Sequence, residues 1–203
     1  KNYNDLFEQP QMMDMLPDVR GKQILELGCG YGATSIKFIK RGAEYVYAFD
    51  ISKNMIEKAQ KENSHKKIMY SCMNMDDLDK LAGTWDIAFS SLAFHYVENI
   101  EQLFQNINHI LVPEGVLLFS MEHPIVTAAM KECVCEFDSN GEPLYFKLDH
   151  YGKTGERNVV WLDTLVKKYH RTVADIVNSL LHAGFIIDEL REPLPEVSLM
   201  ESN

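Results

Sequence analysis

Several residue types and patterns are scarce in this chain of 203 residues. It contains four cysteines, none of them in a Cys-x-x-Cys pair, which argues against a disulfide scaffold and against a cysteine-rich zinc site. No apolar run approaches the roughly 20 residues that span a bilayer, and residues 1–16 lack the apolar core of a signal peptide. The chain is therefore predicted to be cytoplasmic, with reduced thiols and no membrane partner.

Positive charge is scarce as well. Lys and Arg number 20 against 30 Asp and Glu, so the net charge is −10, which repels the phosphate backbone of a nucleic acid. No nucleic-acid partner is predicted. The shares of apolar residues, 46%, and of charged residues, 25%, are typical of globular proteins. The length suits a single domain over residues 1–203.

Short apolar runs alternate with helical patterns along most of the chain. Ser52 is placed to cap one helix, and Thr172 is placed to cap another that ends near Gly184. Apolar runs without strict alternation are typical of strands that helices cover on both faces, so the pattern predicts an α/β fold. The predicted strands are residues 23–27, 45–49, 66–72, 85–90, 116–121 and 185–190.

Residues 124–169 interrupt this alternation and are predicted to form an insertion, or cap, after the fifth strand. Glycines and a proline separate short β-like pieces in it. The segment is rich in aromatic residues, and substrate pockets are mostly apolar, so it is a candidate cover for a small, partly apolar substrate. These aromatics are Phe137, Tyr145, Phe146, Tyr151 and Trp161.

The turn after the first strand carries three glycines, Gly28, Gly30 and Gly32, just before a helix begins. Such a turn lets a ligand approach the backbone at a helix N-terminus. Two classes of cofactor bind at such a turn, and the dinucleotides are the first of them. Gly28, Gly30 and Ala33 fit the loose dinucleotide pattern G-x-G-x-x-G/A, and Asp50 follows Gly30 by 20 residues, where a ribose-binding acid belongs.

Glu26 helps to discriminate between these classes. Its carboxylate, at the end of the strand beside the glycines, would repel the pyrophosphate of a dinucleotide and would suit a cationic ligand. The Glu-x-Gly-x-Gly-x-Gly arrangement of residues 26–32, Asp50 after the second strand, and the segment 86–96 together resemble the class I S-adenosylmethionine-dependent methyltransferases of the small-molecule type.

The resemblance implies a fold and a set of cofactor contacts. The fold is a three-layer α-β-α Rossmann-like sandwich whose mostly parallel sheet has the order 3-2-1-4-5-6. The ligand is S-adenosyl-L-methionine, with S-adenosyl-L-homocysteine as product. The glycine turn would hold the methionyl-ribose part, with Glu26 toward its amino group; Asp50 would bind the ribose, and Ile51 would face the adenine. Asn74 and Asp76 compete for the adenine edge. The implied cofactor-binding residues are Glu26, Gly28, Cys29, Gly30, Gly32, Asp50, Ile51, Asn74, Met75, Asp76 and Ser91.

The family usually closes its sheet with an antiparallel seventh strand. Residues 196–203 are too polar to supply it, so either this strand is missing or the native chain continues. A vacant place beside the fifth strand would leave backbone groups unpaired and would favour dimerisation or a substitute strand from the insertion. Both a monomer and a homodimer are therefore compatible with the sequence.

Two histidines follow strands on the ligand-binding edge of the predicted sheet. His95 comes after the fourth strand and His123 after the fifth, and either is a candidate general base if the acceptor must lose a proton. Cys133 and Cys135 would point to one face of a strand, but further metal ligands are missing nearby, so no metal site is predicted.

The predicted function is in-line transfer of a methyl group from S-adenosylmethionine to a small-molecule acceptor, whose reacting atom (O, N or C) the sequence leaves open. Two alternatives remain at this point. A nicotinamide-dependent oxidoreductase would use the same glycine turn, and a catalytically silent module would bind the cofactor without turnover.

Overall fold

The computed structural model describes residues 4–130, 134–161 and 164–193. Its centre is a parallel sheet of five strands in the order β3-β2-β1-β4-β5, which confirms the predicted α/β fold with its parallel sheet and strand order 3-2-1-4-5. The strands are β1, Gln23–Leu27; β2, Tyr45–Asp50; β3, Ile68–Cys72; β4, Trp85–Ser90; and β5, Leu111–Phe119.

Helices cover both faces of this sheet. Ser52 accepts a hydrogen bond from the backbone N–H of Met55, and Thr172 forms a capping box with Asp175, so both predicted N-caps are confirmed. Two 3₁₀ turns, Met75–Lys80 and Phe94–Tyr96, follow β3 and β4. The helices are α1, Gln9–Met15; α2, Ser35–Lys40; α3, Lys53–Glu62; α4, Ile100–Ile110; α5, Pro124–Thr127; and α6, Val173–His182.

The apolar core forms two layers, one on each face of the sheet. Met12 of α1 and Phe38 of α2 pack on one face, with Ile24 and Val46. Phe104 and Ile107 of α4 pack on the other face, with Leu25, Leu27, Phe49 and Ala88. Side chains of β1 enter both layers alternately, so β1 is buried from both sides.

The prediction of a sixth strand over residues 185–190 is wrong. Residues 185–190 form no strand; the backbone N–H of Phe185 donates to Leu180 O, while Ile186 and Leu190 are 94% and 65% exposed. The guanidinium of Arg191 contacts Asp14 of α1 at 2.7 Å, so the segment is tied to α1 instead of pairing with β5. Residues 196–203, considered above for a seventh strand, lie outside the described residues.

The insertion after β5 consists of α5 and two antiparallel hairpins. The first hairpin pairs β6, Val134–Phe137, with β7, Pro143–Lys147; the second pairs β8, Gly155–Trp161, with β9, Thr164–His170. One face of the second hairpin is buried and polar, with Arg157, Lys168 and His170. Within the described ranges, no helix combines the length and the hydropathy needed to cross a membrane.

Candidate functional site

A cavity of about 400 Å³ opens at the carboxyl ends of β1, β2 and β4. The order of the sheet reverses between β1 and β4, and ligands of open α/β sheets bind at such a switch point. The cavity is lined by Gly28, Phe49, Asp50, Ile51, Met73, Asn74, Met75, Asp76, Ser91, Leu92, Ala93, Tyr96, Val97, Glu98 and Tyr169.

Gly28 lies in the cavity wall at the end of β1. Its φ is +72°, and its N–H donates to Phe49 O at 2.9 Å. A Cβ at this position would lie 2.6 Å from Ala93 Cβ and 3.1 Å from Met75 Cε. Only glycine therefore fits here without displacing its neighbours.

Asp50 ends β2 with its carboxylate held by the backbone. One oxygen accepts the N–H of Gly30 at 2.9 Å and the other accepts the N–H of Ser52 at 2.8 Å. Each carboxylate oxygen has a further lone pair, so the group remains able to accept from the two hydroxyls of a ribose. The local turn thus positions the predicted ribose-binding acid in the cavity lining.

Glu26 is buried and does not belong to the cavity lining. It accepts a hydrogen bond from the Ser35 hydroxyl of α2. Burial raises the pKa of this carboxyl to about 8 against the opposing effects of Ser35 and Lys37, so the folded protein holds it largely protonated at neutral pH.

The remaining residues of the glycine turn lie beside the cavity and not among its lining residues. The Cys29 thiol is buried, and its pKa is raised mainly by that burial. A Cβ on Gly32 would meet the Tyr70 hydroxyl at 2.3 Å, whereas a Cβ on Gly30 would meet no atom within 4 Å. The backbone at Gly30 is thus open to a ligand, whereas a glycine is needed at position 32 because the Tyr70 side chain packs there.

Ile51, Asn74, Met75 and Asp76 form one side of the cavity. Ile51 is 70% exposed, an apolar surface suited to the face of an adenine ring. The Asn74 amide group and Asp76 contact each other: Asn74 Oδ1 accepts the N–H of Asp76, and Asn74 Nδ2 donates to Asp76 Oδ2, both at 3.2 Å. Both adenine-edge candidates therefore lie at the cavity.

Ser91 lines the cavity and is held by the N-terminal segment, a contact that the sequence analysis missed. Its hydroxyl donates to Glu8 Oε1 at 2.8 Å and accepts from Gln9 Nε2 at 3.1 Å. Nothing in the sequence pattern pairs residues separated by more than 80 positions, so no signal could have found it.

His95 is buried beside the cavity, and the neighbouring Tyr96 is the residue that lines it. Its Nδ1 accepts the N–H of Glu122 at 3.3 Å, and its Nε2 lies 3.9 Å from Glu122 Oε1. Burial lowers the pKa of His95 to about 4, so the ring is neutral at neutral pH.

His123 is also outside the cavity lining. It caps α5, because Nδ1 accepts the N–H of Ile125 at 3.1 Å, and Nε2 lies 2.9 Å from Glu192 Oε1. The structure therefore gives each predicted histidine a structural contact. Their roles as general bases stay predictions.

Tyr96, Glu98 and Tyr169 form a further part of the cavity wall. The Tyr169 hydroxyl donates to Glu98 Oε2 at 3.1 Å. Arg171 donates to the backbone oxygens of Val97 and Glu98, each at 2.6 Å, and so joins the end of the second hairpin to this wall. Tyr96, Glu98 and Tyr169 are not among the site residues predicted from the sequence.

Metal ligands do not converge in the part of the chain that the structure describes: no group of three or more His, Cys, Asp or Glu side chains could hold an ion there. Cys135 is a free thiol, and Cys133 lies outside the described residues. The absence of a metal cofactor stays a prediction.

The sheet, the glycine turn and Asp50 at one cavity define an α/β enzyme that binds an adenosine-containing cofactor. Residues 25–119 match the family model described as "Methyltransferase domain". An S-adenosylmethionine-dependent methyltransferase from Mesorhizobium loti, solved as a crystal structure, has 35% sequence identity and a TM-score of 0.86; the match covers 96% of this chain and 88% of that one.

Two curated relatives extend the comparison. A Haemophilus influenzae protein is 36% identical over 197 residues, which are 94% of this chain and 78% of that protein. A malonyl-[acyl-carrier protein] O-methyltransferase from Bacillus anthracis is 31% identical over 99 residues, 48% of this chain and 36% of that protein. This chain belongs to the S-adenosylmethionine-dependent methyltransferases. It is an enzyme that uses S-adenosylmethionine as its methyl donor.

Proposed function

We propose that the enzyme transfers the methyl group to a small-molecule acceptor held at the Tyr96, Glu98 and Tyr169 end of the cavity. The observation that carries this proposal is the continuity of the cavity. Asp50, Ile51 and the residues 74–76 that suit the cofactor share it with the tyrosine and glutamate wall. Its volume of about 400 Å³ lies in the range of small-molecule sites.

The residues present fit the cofactor. Gly28 leaves room that a Cβ would fill, Asp50 retains acceptor capacity toward two hydroxyls, and Ile51 offers an apolar face. S-adenosylmethionine, when bound, supplies a methyl group already activated by its sulfonium. The protein's own contribution is then to position the acceptor in line with that group and to exclude water, and positioning alone can supply much of the rate enhancement.

The acceptor end combines aromatic surface with one carboxylate. Tyr96 and Tyr169 provide ring faces, and Glu98 can accept a hydrogen bond from a hydroxyl or an amine. Among the residues that the structure describes, no lysine, arginine or histidine belongs to the cavity lining, which disfavours a doubly charged anionic acceptor. The acyl-carrier-linked substrate named for the Bacillus anthracis relative is not carried over, because the match spans about a third of that protein.

Cofactor binding is tested by calorimetric titration with S-adenosylhomocysteine. We expect micromolar affinity that Asp50→Ala lowers by about two orders of magnitude, since the two hydrogen bonds proposed from the ribose hydroxyls to this carboxylate are lost. The control is Asp79→Ala, an exposed aspartate of the turn after β3 that is not in the cavity lining. Binding of NADH in preference to S-adenosylhomocysteine would favour the oxidoreductase alternative.

The size of the acceptor is tested with a cell extract passed through a filter of about 3 kDa. With methyl-labelled S-adenosylmethionine, we expect the enzyme to label the low-mass filtrate. Label found only in protein or nucleic acid would reject a small acceptor. Binding of the cofactor without label in any fraction would favour the silent module.

A further inference from the structure

A second cavity, of about 300 Å³, lies beside the proposed acceptor site. The start of α4, the end of β9 and the first turns of α6 surround it. Glu98 and Tyr169 line this cavity and also line the first one. Two cavities that share wall residues adjoin at those residues. Glu98 and Tyr169, the boundary pair, therefore lie between the two cavities.

The side chains of the boundary pair contact each other through a hydrogen bond. The Tyr169 hydroxyl donates to Glu98 Oε2 at 3.1 Å. Glu98 is exposed and Tyr169 is partly buried, so water can compete for both partners. A hydrogen bond for which water competes contributes little net free energy. A lasting boundary therefore needs a further contact that holds Glu98 and Tyr169 in place.

Arg171, which directly follows β9, supplies that contact. Its Nη2 donates to the backbone oxygens of Val97 and Glu98, each at 2.6 Å. Its Nη1 donates to the backbone oxygen of Tyr169 at 3.4 Å. Its Cζ lies 5.7 Å from the centre of the Tyr169 ring, within the range of a cation–π contact. The planar guanidinium thus contacts both boundary residues at once, an arrangement that the ammonium of a lysine reproduces only in part.

The backbone is held on both sides of Arg171. His170 is fully buried, with Nδ1 2.8 Å from the Thr127 hydroxyl and Nε2 2.8 Å from the backbone oxygen of Tyr151. Thr172 begins the capping box of α6. Arg171 therefore reaches the boundary pair from a fixed position.

Every hydrogen bond that Arg171 donates within the described ranges goes to a backbone oxygen. Burial lowers the pKa of Arg171 against the opposing effect of neighbouring residues, so its charge is partly desolvated. A partly buried charge is costly unless it is hydrogen-bonded. We therefore expect the guanidinium to keep its contacts with the boundary pair.

We propose that Arg171 is a positioning residue, which holds Glu98 and Tyr169 as a fixed boundary between the two cavities and so limits the length of the acceptor. The inference rests on the proposed function, because it takes the acceptor to lie beside this pair. With the boundary in place, the acceptor is confined to the first cavity of about 400 Å³. Without Arg171 the pair can separate, and the adjoining cavity of about 300 Å³ becomes available to a longer acceptor.

The length limit is tested with methyl-labelled S-adenosylmethionine and the low-mass filtrate of a cell extract, with the labelled products separated by mass spectrometry. Arg171→Met keeps a long side chain and removes its hydrogen bonds and charge. We expect it to label additional products of higher mass than those of the wild type. For the wild-type product, we expect the half-saturating amount of filtrate to rise about 10-fold and the maximal rate to stay within about 3-fold, because the wall contributes to binding more than to the transfer step.

Two further variants separate this role from a general loss of structure. Arg171→Lys keeps the charge without the fork, so we expect an intermediate effect, and it replaces Arg171→Met in every comparison if that variant fails to fold. In both, the affinity for S-adenosylhomocysteine by calorimetry is expected to stay within about 2-fold of the wild-type value. Arg191→Met is the matched control: it removes an arginine that binds Asp14 and Glu189, neither of which lines either cavity. It is expected to yield the wild-type products.

Hydrogen exchange tests the positioning role without an acceptor. The N–H groups of Val97, Gln102 and Leu103 are hydrogen-bonded on either side of the Arg171 contact. We expect them to exchange at least about 10-fold faster in Arg171→Met, while residues 105–110 of α4 and the Arg191→Met variant keep the wild-type rates.

The possible failures are distinguishable. A wild type that labels nothing in the filtrate would reject the proposed function, and the length limit with it, while exchange would still decide whether Arg171 holds the boundary pair. Exchange at wild-type rates in Arg171→Met would overturn the positioning role. Products of the same masses from the wild type and Arg171→Met, or an equal change in Arg191→Met, would overturn the length limit although the proposed function stands.

Discussion

Two glycines of the turn after β1 have similar backbone angles and different surroundings. Gly28 and Gly30 have φ values of +72° and +53°. In Gly30→Ala the new Cβ meets open space, so only the left-handed backbone is penalised, by about 1–2 kcal/mol. In Gly28→Ala the Cβ also lies 2.6 Å from Ala93, so we expect a loss above about 3 kcal/mol. Urea denaturation of both variants measures this difference, and equal losses would contradict it.

The raised pKa of the buried Glu26 carboxyl predicts that the stability of the fold depends on pH. Its pKa is raised to about 8 in the folded protein from an ordinary 4.5 by burial. Between these pH values the folded state holds a proton that the unfolded state has released, so the free energy of unfolding falls as pH rises through this window. The effect is on the order of a few kcal/mol. Glu26→Gln cannot ionise, and we expect it to melt at a higher temperature than the wild type at pH 9.

The matched control for Glu26 is Glu57→Gln on α3, whose side chain is 62% exposed. It is expected to keep the wild-type dependence of melting temperature on pH. A Glu26→Gln variant that loses stability with rising pH as steeply as the wild type would show that another group is responsible.

At the scale of elements, the parallel sheet could be predicted because each strand is a short apolar run bounded by a turn or a capped helix. The bounds of β1 and β4 agree with the prediction to the residue. The start of β5 does not: it begins at Leu111, directly after α4, and shifts register against β4 between Trp85 and Ile87. Residues 185–190 have a strand-like composition, but strand formation needs a neighbouring edge, and Arg191 ties this segment to α1.

A buried ion pair joins the second hairpin to the segment that follows β5. Lys168 of β9 is 6% exposed and contacts Glu122. Lys168→Met leaves that carboxylate without its cation, so we expect a loss of about 1–3 kcal/mol and a higher acceptor KM, because the adjacent Tyr169 lines the cavity. The affinity for S-adenosylhomocysteine should stay unchanged. Denaturation and hydrogen exchange of β8 and β9 measure the effect.

Lys167→Met is the control for this hairpin. Lys167 contacts Glu156 at 2.9 Å, with both side chains about half exposed, and such surface pairs contribute little. If the two variants had the same stability and the same exchange rates, the buried pair would not be what holds the hairpin.

For the molecule as a whole, the part of the cavity proposed to hold the cofactor is easier to predict from the sequence than the part proposed to hold the acceptor. Gly28, Asp50, Ile51 and the residues 74–76 follow parallel strands, whose carboxyl ends meet at one edge of the sheet. Tyr169 reaches the same cavity from the end of a hairpin more than 70 residues after Tyr96. The position of Tyr169 at the cavity depends on how an irregular insertion packs, and no periodic pattern in the sequence predicts that packing.

The overall negative charge predicts that the enzyme does not bind nucleic acids. Nonspecific binding to nucleic acid requires lysines and arginines that displace counterions from the phosphates, and this chain has 20 of them against 30 acids. The three carboxylates at the cavity, Asp50, Asp76 and Glu98, add a local repulsion at the point where a polynucleotide would have to enter. We therefore expect no saturable binding to a labelled duplex of about 20 base pairs or to a labelled single strand of the same length. The measurement is fluorescence anisotropy, with up to about 100 µM protein at about 50 mM salt. Binding that weakens steeply between about 50 and 200 mM salt would contradict this prediction and would make a nucleic acid a candidate methyl acceptor.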